Sequence, residues 1–199
     1  MIRNEVETLG ISVEREKLWF EQKIRESERN LFRFALHLTG NMEKSEDLVQ
    51  EALLRAFQYR HSYDPSRSFE NWVYAILLNV YRKQCKKERI VRLVLPWKTL
   101  DEDEEERAWD ILEWEGDGPE QAVLKKQVLW DLRAAIDKLP LKMKEVVVLC
   151  DVMDHSYEEA SEILGCPIGT VRSRLHRARK QIKAMLEEMY GEEILSLWK

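Results

Sequence analysis

The chain has 199 residues, 35% of them charged, and a formal net charge of −5. Its apolar runs are all far shorter than the roughly 20 residues needed to span a bilayer. Its first 17 residues contain no apolar segment typical of a signal peptide. These features predict a cytoplasmic protein of one or two domains, with no membrane insertion.

Three widely separated cysteines, Cys85, Cys150 and Cys166, form no paired Cys or Cys/His motif. This spacing argues against a disulfide framework and against a zinc site, so we expect no metal. Motifs typical of nucleotide-binding enzymes, serine hydrolases and metalloproteases are also absent from the sequence, which argues against an enzyme and against a bound cofactor. Binding is therefore the class of function that the sequence favours.

Apolar residues recur at helical spacing along nearly the whole chain, and glycine and proline are scarce, which predicts an all-α fold. Gly40 and Asn41 are typical of a helix end followed by a new cap, and Ser68 is typical of a third cap. The helices predicted in the first half cover 13–39, 42–60 and 69–89. Their predicted inward-facing residues are Leu18, Phe20, Ile24, Leu31, Phe34, Ala35, Leu38, Leu48, Ala52, Leu53, Ala56, Phe57, Phe69, Trp72, Val73, Ile76, Leu77 and Val80.

The middle of the chain, residues 91–118, loses clear periodicity and contains the acidic run 101–107. This composition predicts an acidic linker between two small helical domains, 13–90 and 119–190. The tryptophans of the linker leave open whether part of it folds back onto a domain or docks into a partner.

The second half has the pattern of a helix-turn-helix. Ser156 and Glu159 have the spacing of a capping box, and Gly165 is suited to a left-handed helix end. Two helices joined by such a tight turn, the second of them basic, are typical of this DNA-binding motif. The helices predicted in this half cover 119–138, 141–153 and 157–164, followed by a basic helix from Pro167 to about Tyr190.

The basic helix carries six Lys/Arg and one His between Gly165 and Lys183, and no acid occurs between Glu162 and Glu187. An acidic protein with such a helix is expected to bind a polyanion with it. At 100° per residue, one face is apolar and the other is basic. The predicted buried face consists of Val171, Leu175, Ala178, Ile182 and Met185. The candidates for contacts to base edges are Arg172, Ser173, His176 and Arg177, and those for phosphates are Arg174, Arg179, Lys180 and Lys183.

Two sets of motifs, one in each half of the chain, point to a known family. The residues Leu139-Pro140, Tyr157–Leu164 and Pro167–Arg179 resemble region 4 of bacterial sigma factors, and more narrowly of the extracytoplasmic-function (ECF) group. In the first half, Asp47–Phe57 resembles region 2.2 and Ser68–Asn79 resembles region 2.3. The two sets are independent of each other and occur in the order that the family has.

The resemblance implies a promoter-specificity subunit that binds core RNA polymerase and recognises the −35 and −10 elements of promoter DNA. The implied polymerase contacts are a coiled coil of the largest subunit, which meets the region 2.2 helix, and the flap region. The residues implied for polymerase binding are Asp47, Leu48, Gln50 and Glu51, of which Leu48 is expected mainly to anchor the helix. Those implied for the −35 element are Ser156, Tyr157, Thr170, Arg172, Ser173, Arg174, His176, Arg177, Arg179 and Lys180.

Promoter melting is expected at the loop 61–68 and the third helix, where aromatic residues alternate with cations and can stack unpaired bases. The aromatic residues are Tyr59, Tyr63, Phe69, Trp72, Tyr74 and Tyr81, of which Phe69 and Trp72 are expected to lie mainly in the core. The resemblance implies a flipped −10 base near Tyr63, Ser66, Arg67 and Asn79. It also implies contacts of Lys83, Lys86 and Lys87 with upstream phosphates.

Other functions stay open from the sequence. A stand-alone helix-turn-helix regulator would bind a palindrome as a dimer, but the sequence offers no dimer seam and leaves residues 42–89 without a role. Control by an anti-sigma factor is compatible with a sigma factor, and it would hold the protein in the cytoplasm or at the inner membrane. The acidic run of the linker either mimics nucleic acid inside the polymerase or is a solvated spacer.

Overall fold

The all-α prediction is confirmed by a computed structural model, which describes residues 2–94 and 119–191 as helices and turns without a strand. The chain divides into two units between Glu105 and Glu106. Within the two described ranges, no helix is long and apolar enough to cross a membrane. Residues 95–118, which hold most of the predicted linker and its acidic run, lie outside the described residues.

Three helices form the first unit, and two of them are longer than predicted. They are α1 (Ile2–Thr39), α2 (Met42–Gln58) and α3 (Phe69–Val94), with a 3₁₀ turn at Arg60–Ser62. The sequence between Ile2 and residue 13 has no proline to stop a helix, so α1 extends through it. The helix α3 likewise includes 91–94, which the prediction assigned to the linker, because no proline occurs before Pro96.

The connection between α1 and α2 follows the predicted capping chemistry. Gly40 has a φ of +72°, and its N–H donates to the carbonyl of Leu36 at 2.9 Å. The side chain of Asn41 accepts a hydrogen bond from the N–H of Lys44 at 2.8 Å, as an N-cap does. The buried hydroxyl of Ser45 donates to the carbonyl of Asn41 at 2.6 Å. These local bonds determine where α1 ends and α2 begins.

Helical periodicity identified most of the first core, but it was wrong for Leu18 and Phe57, which are 61% and 37% exposed. At 100° per residue, Leu18 lies about 200° from Phe20, and Phe57 lies about 180° from Leu48, so each points away from the buried stripe. Of the remaining predicted residues, Ile24, Leu53, Trp72 and Ile76 are only half-buried. The buried ones are Phe20, Leu31, Phe34, Ala35, Leu38, Leu48, Ala52, Ala56, Phe69, Val73, Leu77 and Val80.

Two tyrosines that were expected on a base-stacking surface belong to the core instead. Tyr74 is 1% exposed, and its hydroxyl donates to Oε1 of Glu70 at 3.0 Å. Tyr81 is 9% exposed, and its hydroxyl donates to the carbonyl of Leu38 at 2.7 Å. Burial raises the pKa of Tyr74 well above its ordinary value, with the nearby Glu70 carboxylate adding to the effect. Both rings are buried, so neither is available to DNA.

Four helices of the second unit pack together. They are α4 (Pro119–Asp137), α5 (Leu141–Val147), α6 (Tyr157–Leu164) and α7 (Ile168–Tyr190), and α7 contacts each of the other three. The predicted helix 141–153 changes into a π-helical turn at Val148–Val152. Apolar spacing did not reveal this change because the buried run Val146, Val147, Val148 and Leu149 continues from α5 into the turn.

The buried stripe of α7 agrees with the prediction except at its last position. Val171, Leu175, Ala178 and Ile182 are buried as predicted, whereas Leu186 replaces Met185 as the fifth buried residue. Leu186 follows Ile182 by four residues and therefore lies about 40° from it around the helix axis. Met185 follows Ile182 by three residues and lies about 60° from it in the opposite direction.

The predicted helix-turn-helix is formed by α6 and α7. Ser156 Oγ accepts a hydrogen bond from the N–H of Glu159 at 3.2 Å, and Glu159 Oε2 accepts one from the N–H of Ser156 at 2.8 Å. The second bond lowers the pKa of the Glu159 carboxyl. Gly165 ends α6 in the left-handed conformation, with φ +65°, and lets the chain turn into α7.

Replacing Ser156 with Ala should lower the local stability of α6 by about 1 kcal/mol, because the N–H of Glu159 loses its cap. Hydrogen exchange of the α6 amides measures this loss. The bond from the backbone N–H of residue 156 to Glu159 is retained in Ser156→Ala. Its contribution exists above the ordinary carboxyl pKa and disappears in both proteins as the pH falls through the lowered value, so the difference between wild type and Ser156→Ala should persist in acid. Glu158→Gln, on the same exposed turn but outside the capping box, is the control. Equal exchange in Ser156→Ala and wild type at neutral pH would contradict the cap.

Candidate nucleic-acid and polymerase interfaces

A basic surface covers the side of α7 opposite its buried stripe. Arg172, His176, Arg177, Lys180 and Lys183 are exposed there, while Thr170, Ser173 and Arg174 are half-buried. A helix with this division can present cations to a polyanion without exposing its apolar residues. The structure thus brings the predicted −35 residues of α7 onto or beside one surface, next to the N-terminal end of α6.

One cation–π contact joins the two helices of the motif. The guanidinium carbon of Arg172 lies 5.6 Å from the centre of the Tyr157 ring. Tyr157 is half-buried at the first turn of α6, so its position is determined by the helix that Ser156 caps. The contact holds the Arg172 side chain at the N-terminal end of α7, where recognition helices reach base edges.

A bidentate ion pair occupies Arg179, which was predicted to contact phosphate. Its Nε donates to Asp151 Oδ2 at 3.0 Å, and its Nη2 donates to Asp151 Oδ1 at 2.5 Å. The hydrogen bonds to Asp151 raise the pKa of Arg179 further above its ordinary value. Asp151 lies in the π-helical turn, and no local pattern predicted this ion pair because its two members are 28 residues apart.

Three other predicted DNA contacts of this motif have intramolecular hydrogen bonds, and a fourth, Lys183, is ion-paired with Glu187 at 3.2 Å. The hydroxyl of Ser156 serves the capping box, and the hydroxyl of Ser173 donates to the carbonyl of Thr170 at 3.0 Å. Arg174 Nη1 donates to the sulfur of Cys166 at 3.6 Å. His176, Arg177 and Lys180 are exposed, and they are the residues of α7 on which a DNA contact imposes the least rearrangement.

A groove of about 500 Å³ lies between α2 and α3. The predicted polymerase contacts Asp47, Gln50 and Glu51 line it on one side, and Glu51 is paired with Arg55 at 2.6 Å. Leu48 is fully buried and anchors α2 to the core as expected, so its assignment to the polymerase contacts was wrong. The other residues that line the groove are Leu54, Arg55, Val80, Lys83, Gln84 and Lys87.

The groove also changes the assignment of two lysines. Lys83 and Lys87 were predicted to hold upstream DNA phosphates, yet they lie in the same groove as Asp47 and Gln50. The third lysine, Lys86, is exposed but is not among the residues that line the groove. Because acidic and basic residues share the groove, it suits a protein surface with charges of both signs better than a nucleic-acid backbone.

The loop between α2 and α3 is folded around Tyr63. The Tyr63 hydroxyl donates to the carbonyl of Arg67 at 2.7 Å, and the N–H of Ser66 donates to Asp64 at 3.0 Å. Burial raises the pKa of Tyr63, and the hydrogen bond from Ser66 lowers the pKa of Asp64. These bonds give the short loop a defined shape with Ser66 and Arg67 exposed on it.

Six aromatic side chains, including Tyr63 of this loop, are connected by ring contacts, and we call them the aromatic cluster: Trp19, Phe20, Phe57, Tyr63, Phe69 and Trp72. The ring centre of Tyr63 lies 5.7 Å from Trp19, 5.4 Å from Phe69 and 5.2 Å from Trp72. Asn79, which was predicted near this loop, lies about 15 Å beyond Phe69 along the α3 axis. Sequence reasoning missed Trp19 because α1 is distant from the loop in the sequence.

No group of three or more His, Cys, Asp or Glu residues suited to a metal ion occurs in the part of the chain that the structure describes. Cys150, which is half-buried, has its pKa raised to about 11, mainly by burial, so its thiol is a poor nucleophile at neutral pH. The described surfaces therefore offer charges and aromatic rings for binding.

Comparison with known proteins agrees with this division into two binding units. The chain matches the family Sigma-70 region 2 over residues 24–90 and the family Sigma-70, region 4 over residues 129–182. It is similar to the ECF RNA polymerase sigma factor SigE of Mycolicibacterium smegmatis, with 34% identity over 173 residues. That alignment covers 87% of this chain and 63% of SigE, so the chain spans less than two thirds of that relative.

A second relative and a solved structure are matched over a larger share of their own length. The ECF RNA polymerase sigma factor EcfG of Rhodopseudomonas palustris is 34% identical over 160 residues, which cover 77% of each chain. The sigma factor RpoE of Bartonella quintana, solved with the anti-sigma factor NepR, superposes with a TM-score of 0.66 at 26% identity. That superposition covers 84% of this chain and 96% of RpoE. The chain therefore belongs to the ECF group of RNA polymerase sigma factors.

Proposed function

We propose that this chain is a promoter-specificity subunit that binds core RNA polymerase and directs transcription initiation at promoters with −35 and −10 elements. The observation that carries this proposal is the exposed basic face of α7, held by a capped α6 in a protein of net charge −5. The subunit makes no covalent bonds itself. It contributes binding energy that selects the promoter and opens it.

The second unit is proposed to read the −35 element in the major groove. Arg172 and Ser173, near the N-terminal end of α7, approach base edges together with His176 and Arg177. Lys180, further along the helix, approaches a phosphate. Tyr157 supports this arrangement by contacting Arg172. The flap region of the polymerase is the proposed protein contact of this unit.

The first unit is proposed to bind the polymerase through the groove between α2 and α3. Asp47 and Gln50 are exposed one turn apart on α2 and can meet polar and basic side chains of a helical coiled coil. Lys83 and Lys87 add charges of the opposite sign on α3, so that a partner with alternating charges is favoured over one of a single sign.

The loop around Tyr63 is the proposed −10 site. Aromatic rings and nearby cations can stack and hold bases that leave the duplex. Extruding a base costs a few kcal/mol, which the contacts of both units together have to offset. Tyr63, Ser66 and Arg67 are the residues proposed to hold the strand here, with Asn79 and Lys86 further along α3.

Regulation by an anti-sigma factor is also part of the proposal. The Bartonella quintana RpoE, which this chain resembles over most of its length, was solved in complex with NepR. An anti-sigma factor of that kind would compete with the polymerase or with DNA for the surfaces described above. We propose a cytoplasmic location, or retention at the inner membrane by such a partner.

Run-off transcription tests the function. Purified core RNA polymerase, with and without this chain, is incubated with sheared genomic DNA of the host. We expect discrete new transcripts only when both proteins are present, because the core alone lacks promoter specificity. No transcripts, combined with tight sequence-specific binding of the chain alone to duplex DNA, would point instead to a stand-alone helix-turn-helix regulator.

Two double variants should separate the two units. Arg172→Ala with Arg177→Ala should weaken binding to −35 duplex DNA, since each bidentate arginine contact contributes about 1–3 kcal/mol, and should leave polymerase affinity unchanged. Asp47→Ala with Gln50→Ala should weaken binding to core polymerase and leave binding to −35 duplex DNA unchanged. Affinity for core polymerase and for a −35 duplex is measured for both proteins. Loss of polymerase binding in the arginine variant would contradict the proposed recognition face.

The dependence of duplex binding on salt should distinguish Lys180 from Arg179. Lys180→Ala should reduce the slope of log K against log salt by about 0.9, because one phosphate contact is lost. Arg179→Ala should change this slope less, because Asp151 already neutralises that side chain, and should instead lower the stability of the second unit by up to about 1 kcal/mol. A slope change in Arg179→Ala as large as that of Lys180→Ala would contradict this division.

A further inference from the structure

Trp19 is the most exposed ring of the aromatic cluster. Phe20 and Phe69 are 4% and 7% exposed and form the buried part of the cluster. Tyr63 and Trp72 are half-buried. Trp19 is 41% exposed. It comes from α1, a helix to which sequence analysis assigned no function, and it reaches the loop that carries the proposed −10 site.

The Trp19 ring is held in a definite orientation although much of it faces solvent. It stacks on Tyr63 with a centroid distance of 5.7 Å and an interplanar angle of 28°. It also meets the edge of the buried Phe69 at 5.5 Å and 81°. A ring fixed by two neighbours loses little further conformational freedom when a ligand stacks on it, so its exposed part is preorganised for binding.

The charges around the cluster favour a nucleic-acid strand over an apolar protein segment. Arg67 is two-thirds exposed beside the loop, and its guanidinium is 3.8 Å from Asp64. The Arg60 guanidinium lies 4.6 Å above the Phe57 ring. His61, the next residue after Arg60, is exposed. Exposed aromatic rings next to such cations are the arrangement that stacks bases and follows a phosphate backbone.

We propose that Trp19 forms the α1 side of the −10 site and stacks on an unpaired base of the melted promoter strand, beside Tyr63. This inference rests on the function proposed above and adds a binding residue to it. The base that Trp19 contacts is adjacent to the base held at Tyr63, because the two rings are themselves neighbours. Recognition by stacking tolerates any base, so Trp19 contributes affinity for the open strand more than sequence preference.

The test uses the full chain bound to core RNA polymerase and a promoter fragment that is single-stranded at the −10 element. A fluorescent 2-aminopurine replaces each −10 base in turn, and its quenching reports stacking. Trp19→Ala should weaken binding of this fragment about fivefold to a hundredfold and abolish the quenching at one position. Trp19→Phe should keep the quenching and most of the affinity. Leu18→Ala, the adjacent exposed residue, is the matched control and should behave like wild type.

Photo-crosslinking of the unaltered protein gives an independent test that does not depend on the variants folding. A 5-iodouracil is placed at the quenched position, and the crosslinked protein is digested with trypsin. Trypsin releases Trp19 in the peptide Leu18–Lys23 and Tyr63 in the peptide His61–Arg67. We expect a crosslink to Leu18–Lys23. Crosslinks confined to His61–Arg67 would overturn the role of Trp19.

The remaining outcomes are equally decisive. If Trp19→Ala binds the single-stranded fragment as wild type does, Trp19 is only a packing residue. If Trp19→Ala loses affinity for the core polymerase in the absence of DNA, the exposed ring is a protein contact, and the inference is overturned. If the wild-type chain with core polymerase binds no promoter fragment, duplex or open, the proposed function fails and this inference fails with it.

Discussion

Burial of one apolar stripe of α7 is the constraint on which the candidate DNA surface depends. Five residues from Val171 to Leu186 pack against α4, α5 and α6, and this packing leaves α7 a single rotational position. The cations on the opposite side are exposed as a consequence. Each buried side chain of the size of valine or leucine stabilises the fold by about 1.5–3 kcal/mol. This packing free energy outweighs the mutual repulsion of the basic residues, so the core determines the direction in which they point.

Features determined by neighbouring residues were predictable from the sequence, and features determined by distant ones were not. The caps at Asn41 and Ser156 and the left-handed Gly165 depend on bonds within a few residues, so the sequence pattern was sufficient. The ion pair of Asp151 with Arg179 and the stacking of Trp19 on Tyr63 join residues that are far apart in the chain. Helical periodicity also does not distinguish a half-buried aromatic ring from a fully buried one.

The polar side chains of this protein fall into two classes that residue type does not separate. Some are already paired within the fold, as Glu51 is with Arg55 and Lys144 is with Asp137 at 2.6 Å. Others, such as Lys180 and His176, are exposed on the basic face. Only the second class can bind DNA without first giving up an internal contact. A list of the basic residues in a recognition helix therefore overstates the number of contacts that the helix can make.

The π-helical turn at Val148–Val152 restricts how this motif can change in length. A π turn is an α-helix that contains one additional residue, and here the N–H of Met153 bonds to the carbonyl of Val148, five residues earlier. Loss of that additional residue would rotate the preceding segment by about 100° and would separate Asp151 from Arg179. Insertions and deletions are therefore constrained at this turn, although it lies outside both helices that form the helix-turn-helix.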